Sequence, residues 1–290
     1  MPIKDPKAIT EAGVKTGVTK SKAPWDKALV AGFLAGAYIA FGALLAISVT
    51  SGMDEKTWGT LPTLFAGAVF ALGLILVVIA GSDLLTGNMA LVPLAAFKGK
   101  VALSALLANF GWVLIGNLLG SLFVAYFLAV QSGVVTQELL LERLGDIATL
   151  KALEETEWQI FLRALGCNWL VCLAVWMALA ADDVAGKVLA IFFPIMAFVA
   201  MGFDHVVANM FFLPAAIFAG VPDIGWWDAI HNWIFAFIGN LVGAAIFVAG
   251  GYWYLYGRPE EDAPATQRPG SADNGGERTA DAEPAGATRA

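Results

Sequence analysis

Charge is scarce in this 290-residue chain. Asp, Glu, Lys and Arg together make up 14% of it, against about 25% in an ordinary soluble domain. With 59% apolar residues beside so few charges, a water-soluble body would have no means of covering its hydrocarbon, which excludes a cytosolic enzyme and a nucleic-acid binder. Histidine and cysteine are rarer still, at 2 each. Cys167 and Cys172 lie in one apolar segment at a helical spacing that keeps them apart. They read as small packing residues, so the disulfide framework of a small secreted scaffold is excluded. The sequence offers no metal-ligand cluster, no His-Glu-x-x-His, no phosphate-binding glycine loop and no Ser/His/Asp arrangement. It therefore calls for no metal or cofactor, and gives an ATP-driven pump, a membrane protease or any other enzyme no footing.

Long uncharged runs are abundant. With 10 Trp, 19 Phe and a mean hydropathy of +0.72, the chain reads as a polytopic all-α membrane protein. The runs cover residues 28–53, 57–82, 84–97, 101–137, 164–181, 188–203, 206–222 and 229–257, the last containing His231. A helical crossing needs roughly 20 apolar residues, and 84–97 and 188–203 fall short of that. Residues 57–97 as one helix would be about twice as long as the hydrocarbon is thick. Lys and Arg placement favours cytoplasmic termini equally for six or eight crossings. A hairpin at Ser82-Asp83-Leu84 would have almost no loop, so the expectation is six crossings in the cell (inner) membrane, the second and fifth broken midway.

Three parts follow. Residues 1–27 form a cytoplasmic amphipathic segment. Asp5 and Pro6 predict a helix start there, and Ile9, Val14 and Val18 beside several lysines suit the inner membrane surface. Residues 28–257 hold the six spans. Residues 258–290 turn to Pro, Gly, Ala, Asp, Glu and Arg, a disordered cytoplasmic tail that accounts for much of the net charge of −7. The acidic stretch 131–157 reads as solvated external surface.

The spans repeat. Gly81/Gly202, Asp83/Asp204, Asn88/Asn209, Met89/Met210 and Pro93/Pro214 match at an offset of 121, and Asn109/Asn232, Asn117/Asn240 and Gly120/Gly243 at 123. Each copy, about 28–130 and 160–257, has three spans, so the second enters the bilayer inverted. Inverted repeats place their working centre at the midplane, where broken helices face a cavity. Intramembrane charge costs ~2.5–3.5 kcal/mol per residue even on lenient scales. Asp83 and Asp204, with Asn88 and Asn209, are expected to cap the helices that resume after each break. His205 differs, because its counterpart is Leu84: a residue that breaks the symmetry is not required by the fold and reads as functional. Asn168 and Thr86 either offer hydrogen bonds to a solute or tie helices together. Gly32, Gly36, Gly116, Gly120, Gly239 and Gly243 read as close-packing faces.

Gly81-Ser-Asp-Leu-Leu-Thr-Gly-Asn-Met89, Asn168-Trp-Leu-Val-Cys-Leu-Ala-Val-Trp-Met177 and Gly202-Phe-Asp-His-Val-Val-Ala-Asn-Met210 resemble the signatures of the formate/nitrite transporter family, from about residue 7 to residue 256. The resemblance implies an aquaporin-like six-helix protomer and a homopentamer with one pore per subunit. The implied substrates are small monovalent anions such as formate, nitrite or hydrosulfide. It makes His205 the central pore histidine, with Thr86 and Asn168 as polar neighbours. Phe70, Leu74, Leu84 and Phe198 become the constrictions, and Lys151 the candidate vestibule lysine. The break after Asp83 corresponds to a mobile loop, and the N-terminal segment to a pH-sensitive lid. The 220–228 connection and the Gly251-Tyr-Trp-Tyr254 ending lean toward the nitrite branch.

A hydrocarbon-lined constriction sets the mechanism. Taking a carboxylate-sized ion from water to a dielectric near 4 costs on the order of 20 kcal/mol. A neutral polar acid costs only a few kcal/mol. The solute is therefore either protonated on the way or crosses with water around it. The expectation is an anion drawn in toward Lys151 that meets His205, which donates a hydrogen bond and shares or transfers a proton. A channel for a neutral solute such as ammonia or glycerol is the alternative. Bilayer lipid and a small anion are the expected partners, with no nucleic acid.

Overall fold

The computed structural model describes residues 3–258; the tail expected to be disordered lies outside the described residues, apart from Arg258. Among the described residues all regular structure is helical. Helix α1 (Pro6–Ser21) starts where the sequence places it: Asp5 accepts the Ala8 N–H at 2.9 Å and proline occupies the first turn. Then come α2 (Trp25–Thr50), α3 (Leu61–Ala80), α4 (Leu85–Phe97) and α5 (Leu103–Phe123), which runs on through π-helical turns at Val124–Gln131. Next are α6 (Glu138–Thr149), continued by a π-helical turn at Leu150–Glu154, and α7 (Glu157–Ala180). After α8 (Val184–Ala200) and α9 (Val206–Ala219), α10 (Trp226–Val242) is prolonged by π-helical turns to Gly257.

Among the described residues, five helices are long and apolar enough to cross a membrane: Trp25–Thr50, Leu61–Ala80, Leu103–Gln131, Glu157–Ala180 and Trp226–Gly257. Leu85–Phe97, Val184–Ala200 and Val206–Ala219 are apolar but shorter. Helix α3 stops at Gly81, whose φ of 82° lets the Ser82 N–H turn back to the Val77 carbonyl at 3.0 Å. Gly202, with φ 70°, does the same after α8, where the Phe203 N–H reaches the Phe198 carbonyl at 3.0 Å.

Helix α2 packs on α5 and α3, α7 packs on α10 and α8, and α3 meets α8. Backbone touches backbone at these crossings. A Cβ on Gly120 would collide with the Phe33 carbonyl, and one on Gly243 with the Leu165 carbonyl. Large apolar side chains such as Leu103, Leu189, Phe193 and Ile246 remain on the outside.

Two polar segments are more deeply built in than the sequence pattern implies. Ile9 and Val14 of α1 are buried, and α1 lies along α4, with Gly13 against Leu94 and Gly17 against the Leu91 carbonyl. Residues 131–157 are not mostly solvated surface. Leu140, Leu144 and Ile147 form one face of α6 that packs inward, α6 lies on α9, and Glu155 is buried. The acidic composition hid a helical stripe.

Helices α1 and α6 are also each other's counterparts. The Asn109 side chain donates to the Lys20 carbonyl at 3.1 Å, and its repeat mate Asn232 donates to the Lys151 carbonyl at 3.0 Å. The duplicated unit thus begins with α1 and α6, ahead of residues 28 and 160.

Candidate functional site

The two junctions, from α3 to α4 and from α8 to α9, are built from matching side chains. Helix α4 begins at Leu84, which has no side-chain acceptor, and α9 begins at His205. The first free backbone N–H of each helix is taken by an asparagine from another helix. Leu85 N–H donates to Asn117 Oδ1 and Val206 N–H to Asn240 Oδ1, both at 2.9 Å. The same amides donate back, Asn117 to the Gly32 and Asp83 carbonyls and Asn240 to the Ala164 and Asp204 carbonyls.

The expectation that Asp83 and Asp204 cap these helices is therefore corrected. Each aspartate is drawn off by a lysine, Asp83 by Lys20 of α1 and Asp204 by Lys151. A charge-assisted bond in a dry site is stronger than one to a neutral amide. Asn88 and Asn209 do not cap either. Asn88 donates to Asn109 Oδ1 at 2.9 Å, while Asn209 donates to Asn232 Oδ1 at 2.8 Å and to Asp204 Oδ1 at 2.9 Å.

His205 is the cap of α9. Its Nδ1 accepts the Ala208 N–H at 3.2 Å, so a neutral ring carries its proton on Nε2, which lies 2.8 Å from Thr86 Oγ1. The ring sits 6.0 Å from Phe198, which meets Phe70 edge to face at 5.8 Å. His205, Phe70 and Phe198 line a cavity of about 830 Å³ whose walls also include Lys151, Arg143 and Asn209.

The structure thus brings His205, Thr86, Lys151, Phe70 and Phe198 together. Leu74 and Leu84 are buried and do not border this cavity. Asn168 does not border it either. Its amide donates to the Thr86 carbonyl at 3.2 Å and the Asn240 carbonyl at 2.8 Å, which ties α7 to α4 and α10. Of the two roles the sequence allowed for Asn168, this geometry serves the helix tie. His231 sits apart, 3.0 Å from Glu157.

Sequence reasoning missed three participants. Lys20, Glu155 and Arg163 join the lysine–aspartate contacts, with Arg163 paired to Glu155 Oε1. The position of Lys20 and Lys151 ahead of the matched asparagines was the available signal. Burial pulls the Lys151 ammonium down, but the Asp204 and Glu155 carboxylates outweigh it and hold the group above the ordinary lysine value. Burial, reinforced by the Asp204 carboxylate, pushes the Glu155 carboxyl up to about 7. Among the described residues no group of three or more His, Cys, Asp and Glu side chains is arranged to hold a metal ion.

The description of the formate/nitrite transporter family matches residues 7–254. The chain belongs to that family. Among its family relatives, an uncharacterized transporter of Bacillus subtilis is 49% identical over 88% of this chain and 95% of its own length. A probable formate transporter of Methanothermobacter thermautotrophicus is 46% identical, over 87% of this chain and 97% of its own. Among solved structures, a pentameric formate channel with formate bound superposes with a TM-score of 0.72 at 30% identity, covering 81% of this chain and 98% of that one. This member of the formate/nitrite transporter family therefore shares its architecture along nearly the whole of that solved chain.

Proposed function

We propose that this chain is a membrane channel for a small monovalent anion, formate first and nitrite or hydrosulfide next, with permeation linked to a proton through His205. The observation that carries the reading is the His205 imidazole in the wall of the cavity, in contact with Thr86 and beside Phe198 of the Phe70–Phe198 edge contact. The relative named for formate at 46% identity and the formate-bound relative favour formate over the nitrite lean of the sequence.

In this reading α3 with α4, and α8 with α9, each make one broken crossing. That gives six crossings in an inverted aquaporin-like repeat, both termini on the cytoplasmic side of the inner membrane and the cavity on the outer side. Five copies assemble, as in the pentameric relative. Residues 1–27 form the cytoplasmic segment, 28–257 the channel domain and 258–290 the tail. Lys151 biases the outer vestibule toward anions. The neutral ring has Nδ1 engaged by Ala208 N–H, so Nε2–H is the proton presented on the Thr86 side. Passing a carboxylate between two phenyl rings unpaired costs on the order of 20 kcal/mol in the idealised limit. A hydrogen bond from Nε2–H offsets part of that cost, and a proton that enters from solvent together with the anion balances its charge at the narrowest point. Leu74 and Leu84 form the second constriction beyond the histidine, and Asn168 holds the Thr86 carbonyl in place.

The test is radiolabelled formate uptake into proteoliposomes with and without an inward proton gradient. Wild type accumulates formate with the gradient, and His205→Phe loses the gradient response while remaining pentameric. Unchanged coupled flux in His205→Phe removes the histidine from the mechanism. Glycerol or ammonia flux exceeding formate flux in wild type replaces the reading with a neutral-solute channel.

A further inference from the structure

The second half of the molecule carries something the first half lacks. Asp83 meets one cation, Lys20, and the chain position corresponding to Glu155 falls at the Ala23-Pro24 turn. Asp204 instead shares its surroundings with a second carboxyl. Glu155, from the turn before α7, lies within hydrogen-bonding reach of it, and both are buried, the Asp204 side chain 0% and the Glu155 side chain 1% exposed. The outer oxygens are spoken for: Asp204 Oδ1 by Lys151 and Asn209, Glu155 Oε1 by Arg163. Asp204 Oδ2 and Glu155 Oε2 are buried without any donor among the described residues. Two ionised oxygens facing each other in a dry site repel, whereas one proton between them satisfies both.

We infer that Glu155 and Asp204 share one exchangeable proton, forming a proton-binding site in the cavity wall behind Lys151 that is separate from His205. The groups facing it are Lys151 from the end of α6, Arg163 and Cys167 from α7, and, along the surface groove that Glu155 borders, Glu154, Glu157, Asp228 and His231, the last paired with Glu157. That groove gives the proton a way in from water that does not cross the cavity. On loading, hydronium gives a proton to one carboxylate oxygen and leaves as water, so one O–H bond breaks as another forms, and the new hydroxyl donates to the facing carboxylate oxygen while the contacts to the cations stay in place. With both carboxyls ionised, the two cations are balanced. With the proton in place one positive charge is left over next to the cavity, and an anion entering there binds more tightly. By linkage, the anion raises the proton affinity of the pair to the same degree. Burial and the Asp204 carboxylate push the Glu155 carboxyl up to about 7, in agreement with loading near neutral pH. This last step, the anion coupling, rests on the proposed function; the shared proton does not.

Infrared difference titration of the purified full-length protein reads the site directly. Wild type should show a protonated-carboxyl stretch that disappears as pH rises through neutrality, with a midpoint that moves upward on adding sodium formate. Glu155→Gln should lose the band, and His205→Phe should keep it. Asp204→Asn, which removes the second carboxylate but leaves Glu155, should move the midpoint down by about one unit, a tenfold loss of proton affinity. A missing band in wild type, a band that survives in Glu155→Gln, or an unmoved midpoint in Asp204→Asn overturns the shared proton. A band that behaves as expected but ignores formate, in a protein that carries no formate flux, overturns the transport reading and leaves the proton site standing.

Discussion

Asn240 accepts the Val206 N–H at 2.9 Å and, through the same amide, donates to the Ala164 carbonyl at 2.7 Å and the Asp204 carbonyl at 2.9 Å. One side chain on α10 thus holds the start of α9, the strand of backbone before it and the neighbouring α7. Asn117 does the same for α4 from α5. A backbone that leaves one helix and begins another in a buried site exposes groups that water does not reach, and these two amides supply the missing partners.

Replacing Asn240 with Ala strands one buried N–H and two carbonyls, each worth about 1–3 kcal/mol when left unpaired. Asn240→Ala should therefore lower the thermal midpoint of the detergent-solubilised protein sharply, by the equivalent of several kcal/mol, and Asn117→Ala should do likewise. Tryptophan fluorescence on heating checks it. A midpoint equal to wild type in both variants means the interruptions are held some other way.

Close helix contacts give a sharper contrast. A methyl group on Gly120 would overlap the Phe33 carbonyl and the Ala37 backbone, while one on Gly111, in the same helix, meets nothing within 4 Å. Gly120→Ala should force α5 off α2 and reduce the yield of folded protein several-fold. Gly111→Ala should leave it unchanged or slightly raised, since Ala favours a helix by about 1 kcal/mol over Gly. Size-exclusion chromatography of both variants reads the difference.

Much of this was legible in the sequence, because hydrocarbon spacing and duplication act over long stretches. The apolar runs located the long helices, Asp5-Pro6 located the start of α1, and the matched glycines Gly81 and Gly202 fall where α3 and α8 end. What escaped were side-chain choices made between distant segments. Asn117 and Asn240 stood out as a matched pair, yet their role as caps depends on where α5 and α10 pass. Asp83 and Asp204 have the right chemistry and spacing to cap, and only the approach of Lys20 and Lys151 redirects them. Those lysines sit in polar segments of unlike composition, so the kinship of α1 and α6 is visible in their contacts and not in their residues.

The Glu155 carboxyl makes stability depend on pH with a definite sign. Its value is pushed up to about 7 in the folded protein, against about 4.3 for an unperturbed glutamate. Between those values the folded state holds more protons than the unfolded one, so unfolding free energy falls as pH rises. The thermal midpoint should fall between about pH 5 and pH 7.5 in wild type, and the fall should be shallower in Glu155→Gln. Equal slopes would mean that Glu155 is already ionised at the lower pH.

The two lysine–aspartate contacts differ in depth, which sets how much each one weighs. Lys151 and Asp204 have side chains 11% and 0% exposed, whereas Lys20 and Asp83 are 22% and 9% exposed. Removing one partner of a buried pair leaves the other charge without compensation, at a cost of about 3–5 kcal/mol, and the cost falls as water gains access. Lys151→Met should therefore destabilise more than Lys20→Met. The double variant Lys151→Met/Asp204→Asn should recover much of the loss, because no unpaired charge is then left inside. Chemical denaturation in detergent micelles provides the comparison. Equal losses for the two lysines would show that exposure does not control the contacts, and a double variant as unstable as Lys151→Met would place the loss in the lysine's packing instead of its charge.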